Sequence, residues 1–281
     1  MSRFSIAALA AALAMAACGG AKPPASTLPP AVAAELSAAL VRVAWWLGDW
    51  TSDGGRSSEH WVAAGGAIYG VALHDKTFEV IVIDDSDAAG KADGALHLYA
   101  MLEGKRSTEF RQRTIGDATA TFFNNASGEV KTITYQRGAD GAGYVERFDG
   151  AGSTLEFPWH AAEPARAADL EAADRAFAAA TAARGADGWT AAFDPEGGMM
   201  AGDERVEHDG VGAAMAPLLS TGTLAWAPIA SGRAGALGYT VGKATFTGKD
   251  GAVVFRTSYV TIWRQQEDGS WKVLFDTGRR S

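Results

Sequence analysis

Tyr259, Thr261, Trp263, Leu274 and Asp276 fall within the C-terminal stretch YVTIWRQQEDGSWKVLFDTG, where aromatics, a hydroxyl and a carboxylate alternate with aliphatic residues. Asp268-Gly269 between two β-rich runs is a strong hairpin signal. A two-residue loop there pairs Glu267 with Ser270, sets Trp263 opposite Leu274 and sets Thr261 opposite Asp276. Side chains alternate along a strand, so those five residues share one face, while Val260, Ile262, Val273 and Phe275 share the other. A three-residue loop would shift the register and break the grouping. The mixed face suits the lining of a ligand pocket; the alternative is a strand-end Asp wetted by solvent. An Asp buried beside aromatics has a raised pKa and can act as an acid or base. Asp203 and Asp276 are the candidate catalytic carboxylates, with Tyr239 or Tyr259 as partners.

Other chemistries find little support. His60, His74, His97 and His160 show neither i, i+2 nor i, i+4 spacing, so no metal site is expected. His60 and Glu59 are neighbours on an inferred strand and point to opposite faces. There is no Gly-rich phosphate loop, nucleophile elbow, Cys/His pair or internal repeat, and no cofactor is implied. A net charge of −8 over 281 residues argues against nucleic acid as a partner.

The elements that must position the hairpin lie along three stretches. MSRFSIAALAAALAMAACGG carries one Arg, then an apolar run too short to span a bilayer, then Cys18, the single cysteine. Residues 1–17 read as a signal peptide. MAAC resembles the bacterial lipobox, which implies a lipidated Cys18 at the mature N-terminus; the alternative is an ordinary cleaved signal with an incidental Cys. Residues 18–44, including AKPPASTLPP and a helical AVAAELSAALVRVAWWLG, read as a lipidated tether whose short helix docks on the domain that follows. The expectation is a lipoprotein of the cell envelope, held to the membrane by its lipid on the periplasmic side or the outer surface.

From 45 to 162, LGDW, SEHW, GG at 65–66, FEVIVID, LHLYAML and TITYQR are short strands between Gly/Asp turns, which points to an antiparallel barrel. These landmarks resemble a family of small secreted bacterial domains, mostly of unknown function, expected to be calycin-like. That family shows Phe-Glu-Asn-Pro-x-His-Asp where this chain has FFNNASG. Phe122 and Asn124 are retained, but Phe123, Ser127 and Gly128 replace its titratable residues, which argues against a hydrolytic site in the barrel.

Past Pro164 the pattern changes to α+β. Leu170, Ala173, Phe177 and Ala180 share a helical face ending at Gly185, and a second short helix carries Trp189 and Phe193 until DPEGG. A third follows EHDG, and strands are expected at 223–229, 235–247, 253–265 and 271–276. The order, with DRAFAAATAARG, ALGYTVGKATF and the final hairpin, resembles the nuclear transport factor 2-like superfamily over 166–281, and within it SnoaL-like domains of ketosteroid-isomerase type. That resemblance implies a cone of curved antiparallel sheet around helices, with Tyr239 facing inward. Phe193 and Met199 or Met200 would close a pocket for a small apolar ligand. It also implies that the outer sheet face can pair two chains as a homodimer. The isomerase residues are not matched: Ala201 stands near the base position with Asp203 beside it, Ala178 near the Tyr and Thr261 at the strand Asp. The domain's single His, His208, is expected on a surface loop. A non-catalytic module that binds a small apolar ligand or a protein partner, and an isomerase- or hydrolase-like enzyme, are thus both open.

Overall fold

The structure is a computed structural model that describes residues 28–87, 90–128, 130–150, 152–164, 166–202 and 204–280. Cys18 and the signal-like segment lie outside the described residues, as does Asp203.

Ten strands form a closed up-and-down barrel in which every neighbouring pair is antiparallel. They are β1 (Gly48–Ser52), β2 (Ser57–Ala64), β3 (Ala67–His74), β4 (Thr77–Ser86), β5 (Ala92–Leu102), β6 (Thr108–Ile115), β7 (Thr119–Phe123), β8 (Val130–Arg137), β9 (Gly143–Gly150) and β10 (Thr154–Ala161). Closure leaves no unpaired sheet edge. Trp46, Trp61, Tyr135 and Tyr144 are fully buried in the barrel core, and Trp61 Nε1 donates to Tyr144 Oη at 3.1 Å. Gly70 is required beside them, since a Cβ there would lie 2.6 Å from the Trp61 ring. The expected docking helix is two short ones, α1 (Pro30–Glu35) and α2 (Ala38–Val41), followed by a 3₁₀ turn at Ala44–Trp46. Leu40, Val43 and Trp46 sink into the barrel core, so the stretch is part of that core.

Alternation on β2 sends Glu59 inward and His60 outward. Glu59 and Glu146 are buried, and their neighbours Glu79 and Tyr135 complete an interior polar cluster. Burial pushes all three carboxyls up, Glu79 to about 7 and Glu146 to about 8, with mutual repulsion adding to the effect at Glu59 and Glu146. Two of the histidines have packing roles. His60 is buried between Asp49 and the Tyr239 ring, and His97 is buried between Asp93 and Glu109.

The second unit comprises α3 (Ala168–Arg184), α4 (Ala186–Thr190), β11 (Phe193–Ala201), β12 (Glu204–Glu207), α5 (His208–Thr221), β13 (Gly222–Ala234), β14 (Leu237–Gly248), β15 (Val253–Gln265) and β16 (Trp271–Arg280). Its sheet runs β12-β11-β16-β15-β14-β13, with α3 and α5 packed against it. One pair departs from the expected antiparallel order: β11 lies parallel to β16, so the sheet is mixed. Phe193, expected on the second helix, instead opens β11. A register shift between Phe193 and Gly198 absorbs the Pro-Glu-Gly-Gly run that reads as a helix break. His208 is the first residue of α5.

The two units share a core. Tyr69, Val71, Val80 and Val82 on the barrel wall pack against Tyr239, Val241, Val260, Ile262 and Phe275 of the sheet. Polar ties flank this seam: Arg279 pairs with Asp84, Lys243 with Glu35, and Arg205 Nη1 donates to Gly104 O at 3.2 Å.

Candidate functional site

The register of the final hairpin decides which side chains meet. Gln265 pairs with Trp271, and Gln266 N donates to Ser270 O at 2.8 Å, so the loop is the three residues Glu267, Asp268 and Gly269. Gly269 takes φ +83°, which closes such a loop. The register is thereby one residue off the expected one, and Trp263 opposes Val273. A bulge at Leu274 then restores it: Ile262 pairs with Phe275 and Thr261 with Asp276. Two irregularities cancel, so the pair Thr261–Asp276 forms as a simple two-residue loop would have made it.

Between the loop and the bulge the faces exchange. Val273 joins the core beneath the helices, while Leu274 packs toward the barrel. Tyr239 also faces the barrel, because it pairs with Ile262 on the outer face. Its neighbour Thr240 takes the inward position and accepts from Trp263 Nε1 at 2.9 Å. Trp263 and Phe193 are inward but fully packed. Met199, Met200, Tyr259, Thr261 and Asp276 do come together, as lining of one cavity of about 330 Å³. Its remaining wall is largely aromatic and aliphatic, with Phe177, Trp189, Trp226, Met215 and Phe255 prominent.

Two carboxylates organise this cavity. Thr261 Oγ1 donates to Asp276 Oδ1 at 2.7 Å. Burial raises the Asp276 carboxyl to about 7; the Thr261 hydrogen bond opposes that shift, and the nearby Asp174 charge reinforces it. Asp174, on α3, is fully buried behind the lining. It accepts from Tyr259 Oη at 3.1 Å and from Trp226 Nε1 at 2.8 Å, fixing two lining aromatics. Burial pushes Asp174 up and its hydrogen bonds pull it back. Burial and the Asp174 charge drive the Tyr259 phenol upward, so it stays a neutral donor. Gly242 lies beneath that phenol, where a Cβ would come within 2.3 Å of Oη.

Asp174 was not among the sequence candidates, yet a signal exists. It sits four residues after Leu170 and three before Phe177, on the apolar stripe of an Ala-rich helix where a carboxylate needs a partner. The arrangement holds an aromatic box with one carboxylate opening into it and a second one behind. His208 stands outside this cavity, half-buried beside Asp209. Among the described residues no group of His, Cys, Asp and Glu could hold a metal ion.

The chain matches no family model and no curated protein. Among solved structures it is similar to a ketosteroid isomerase-like protein from Erwinia carotovora atroseptica, at 20% identity, 40% of this chain, 94% of that one and a TM-score of 0.36. An NTF2-like protein with a cystatin-like fold from Novosphingobium aromaticivorans shows 10% identity over 40% of this chain and 79% of that one, with a TM-score of 0.35. A cystatin-fold protein of unknown function from Nostoc punctiforme shows 9% identity over 41% and 90%, with a TM-score of 0.35. These neighbours account for about two fifths of the chain.

Proposed function

We propose that this chain is an envelope-anchored binding module whose C-terminal cavity takes a small, mainly apolar ligand. The observation that carries this reading is the cavity itself: about 330 Å³, walled by aromatics and methionines, with few polar groups. Adaptable methionines suit a pocket that accepts several shapes. Titration with N-phenyl-1-naphthylamine, a neutral apolar fluorophore, tests it. Fluorescence should rise on binding and fall away in Ala244→Phe, which fills the cavity from its wall. Equal binding to the filled variant would place the probe elsewhere and end the proposal.

The barrel is read as calycin-like, from its closed meander and the LGDW and SEHW landmarks. Anchoring rests on the lipobox-like MAAC at Cys18. A Cys18→Ser protein should fold yet leave the membrane fraction; its recovery there at the wild-type level would refute the lipid anchor.

A second reading, an isomerase- or hydrolase-like enzyme, draws on one observation: Asp276, raised to about 7, lies beside Tyr259 and Thr261 and can exchange a proton near neutrality. It predicts proton exchange from an enolisable ketone that Asp276→Asn abolishes.

A further inference from the structure

Asp276 opens into the cavity with a single hydrogen bond, from Thr261, and no Lys, Arg or His among the described residues pairs with it. Asp174 behind it accepts from the neutral donors Tyr259 and Trp226, and the Arg175 charge nearby favours its ionised form. Among the described residues, none that lines the cavity is basic. A carboxylate withdrawn from water without a counter-charge is costly, and a cation delivered by the ligand would offset that cost.

The walls supply the second half of such a site. Phe177, Trp189 and Trp226 all line the cavity, and Phe177 and Trp189 each meet Trp226 edge-on, at 4.9 Å and 5.8 Å, so the three rings form one packed aromatic wall. Ring faces attract cations, most strongly where water is excluded, and quaternary or protonated amines are held in this way by aromatic cages. The chain's net charge of −8 favours the approach of a cation and disfavours an anion.

We propose that the ligand is an organic ammonium ion: an apolar body that fills the aromatic box and a protonated or quaternary nitrogen that pairs with Asp276. This rests on the reading of the cavity as a ligand site and narrows it to one charge class. Asp276 must be ionised to pair. Among the described residues the titratable groups facing it are Asp174 on α3 and Tyr259 on β15; β11 and α5 bring methionine and leucine, and β13 brings leucine and tryptophan. Tyr259 stays neutral, and a charged Asp174 also favours the cation.

The test is calorimetric titration of the purified protein with n-octylammonium, 1-octanol and octanoate, which share one chain and differ in head-group charge. At pH 8 octylammonium should bind about tenfold tighter than octanol, and octanoate weaker than both. Asp276→Asn keeps an acceptor for Thr261, so it should still bind octanol and should lose the ammonium preference. In the wild type that preference should shrink about tenfold from pH 8 to pH 6 as Asp276 takes up its proton. Octanol binding as tightly as octylammonium, or a preference that survives both the variant and the pH change, would overturn the inference and leave the pocket standing. No binding by any of the three would overturn both.

Discussion

Thr261 and Asp276 face each other across β15 and β16, joined at 2.7 Å by a hydrogen bond from the hydroxyl to the carboxylate. A donor to the charged form favours ionisation, so this contact holds the Asp276 pKa below where burial alone would set it. Thr261→Val should therefore raise it from about 7 by roughly one unit. Carbon-13 titration of the Asp276 carboxyl reads the shift directly. An Asp276 that titrates in the ordinary carboxylate range in both proteins would show a solvated group and remove the basis for the pocket chemistry.

Behind the cavity, Asp174 serves two donors at once. Asp174→Ala leaves the Tyr259 hydroxyl and the Trp226 indole N–H without their buried acceptor, and should cost about 3 kcal/mol of stability. Asp174→Asn retains one acceptor oxygen and should cost about 1 kcal/mol. Urea unfolding measures both. Near-equal effects would mean that an acceptor oxygen at this position contributes nothing to stability.

How far the sequence could lead is shown by the final hairpin. Alternation and the Asp-Gly turn correctly joined Thr261 to Asp276, but for a reason the residues do not display. The loop holds three residues, and the compensating bulge at Leu274 answers to packing on either side of β16. Tyr239 was misplaced because a strand's parity follows its partner's register, and β15 pairs it with Ile262. The barrel was legible because turn glycines punctuate regular strands. β11 was not, because Pro195, Gly197 and Gly198 deny strand propensity and only the tertiary partner β16 imposes it. Asp174 escaped because a helical carboxylate defaults to solvent until its neighbours are known.

The outer face of the sheet has a use the sequence did not assign. Leu237, Tyr239, Val241, Val260, Ile262 and Phe275 are covered by the barrel of the same chain. Residues 166–281 expressed alone would expose this apolar patch, and such patches drive association. The isolated unit should self-associate at micromolar concentration, whereas Ile262→Lys within it should not. Sedimentation velocity separates the cases. A monomeric wild-type fragment would show that the patch is too weakly apolar to associate, and that the barrel is a dispensable cover.

The barrel's interior carboxyls make stability fall with rising pH. Glu59, Glu79 and Glu146 have folded-state pKa values raised above the ordinary 4.5, to about 7 for Glu79 and about 8 for Glu146. Between 4.5 and those values the folded chain keeps protons that the unfolded chain has released, so each pH unit costs up to about 1.4 kcal/mol per group. The stabilisation is complete below pH 4.5 and is lost as pH rises through about 8. Asp276, also raised, acts with the same sign. Carboxylates with lowered pKa values, such as Asp149 and Asp194, oppose the trend only at acid pH, below this window. Urea unfolding at pH 5, 7 and 8.5 should give a steady decline of several kcal/mol. Glu146→Gln, which stays neutral throughout, should make the decline shallower, with Glu59, Glu79 and Asp276 still contributing. A stability that holds level or rises from pH 5 to 8.5 would mean that these carboxyls reach water inside the barrel.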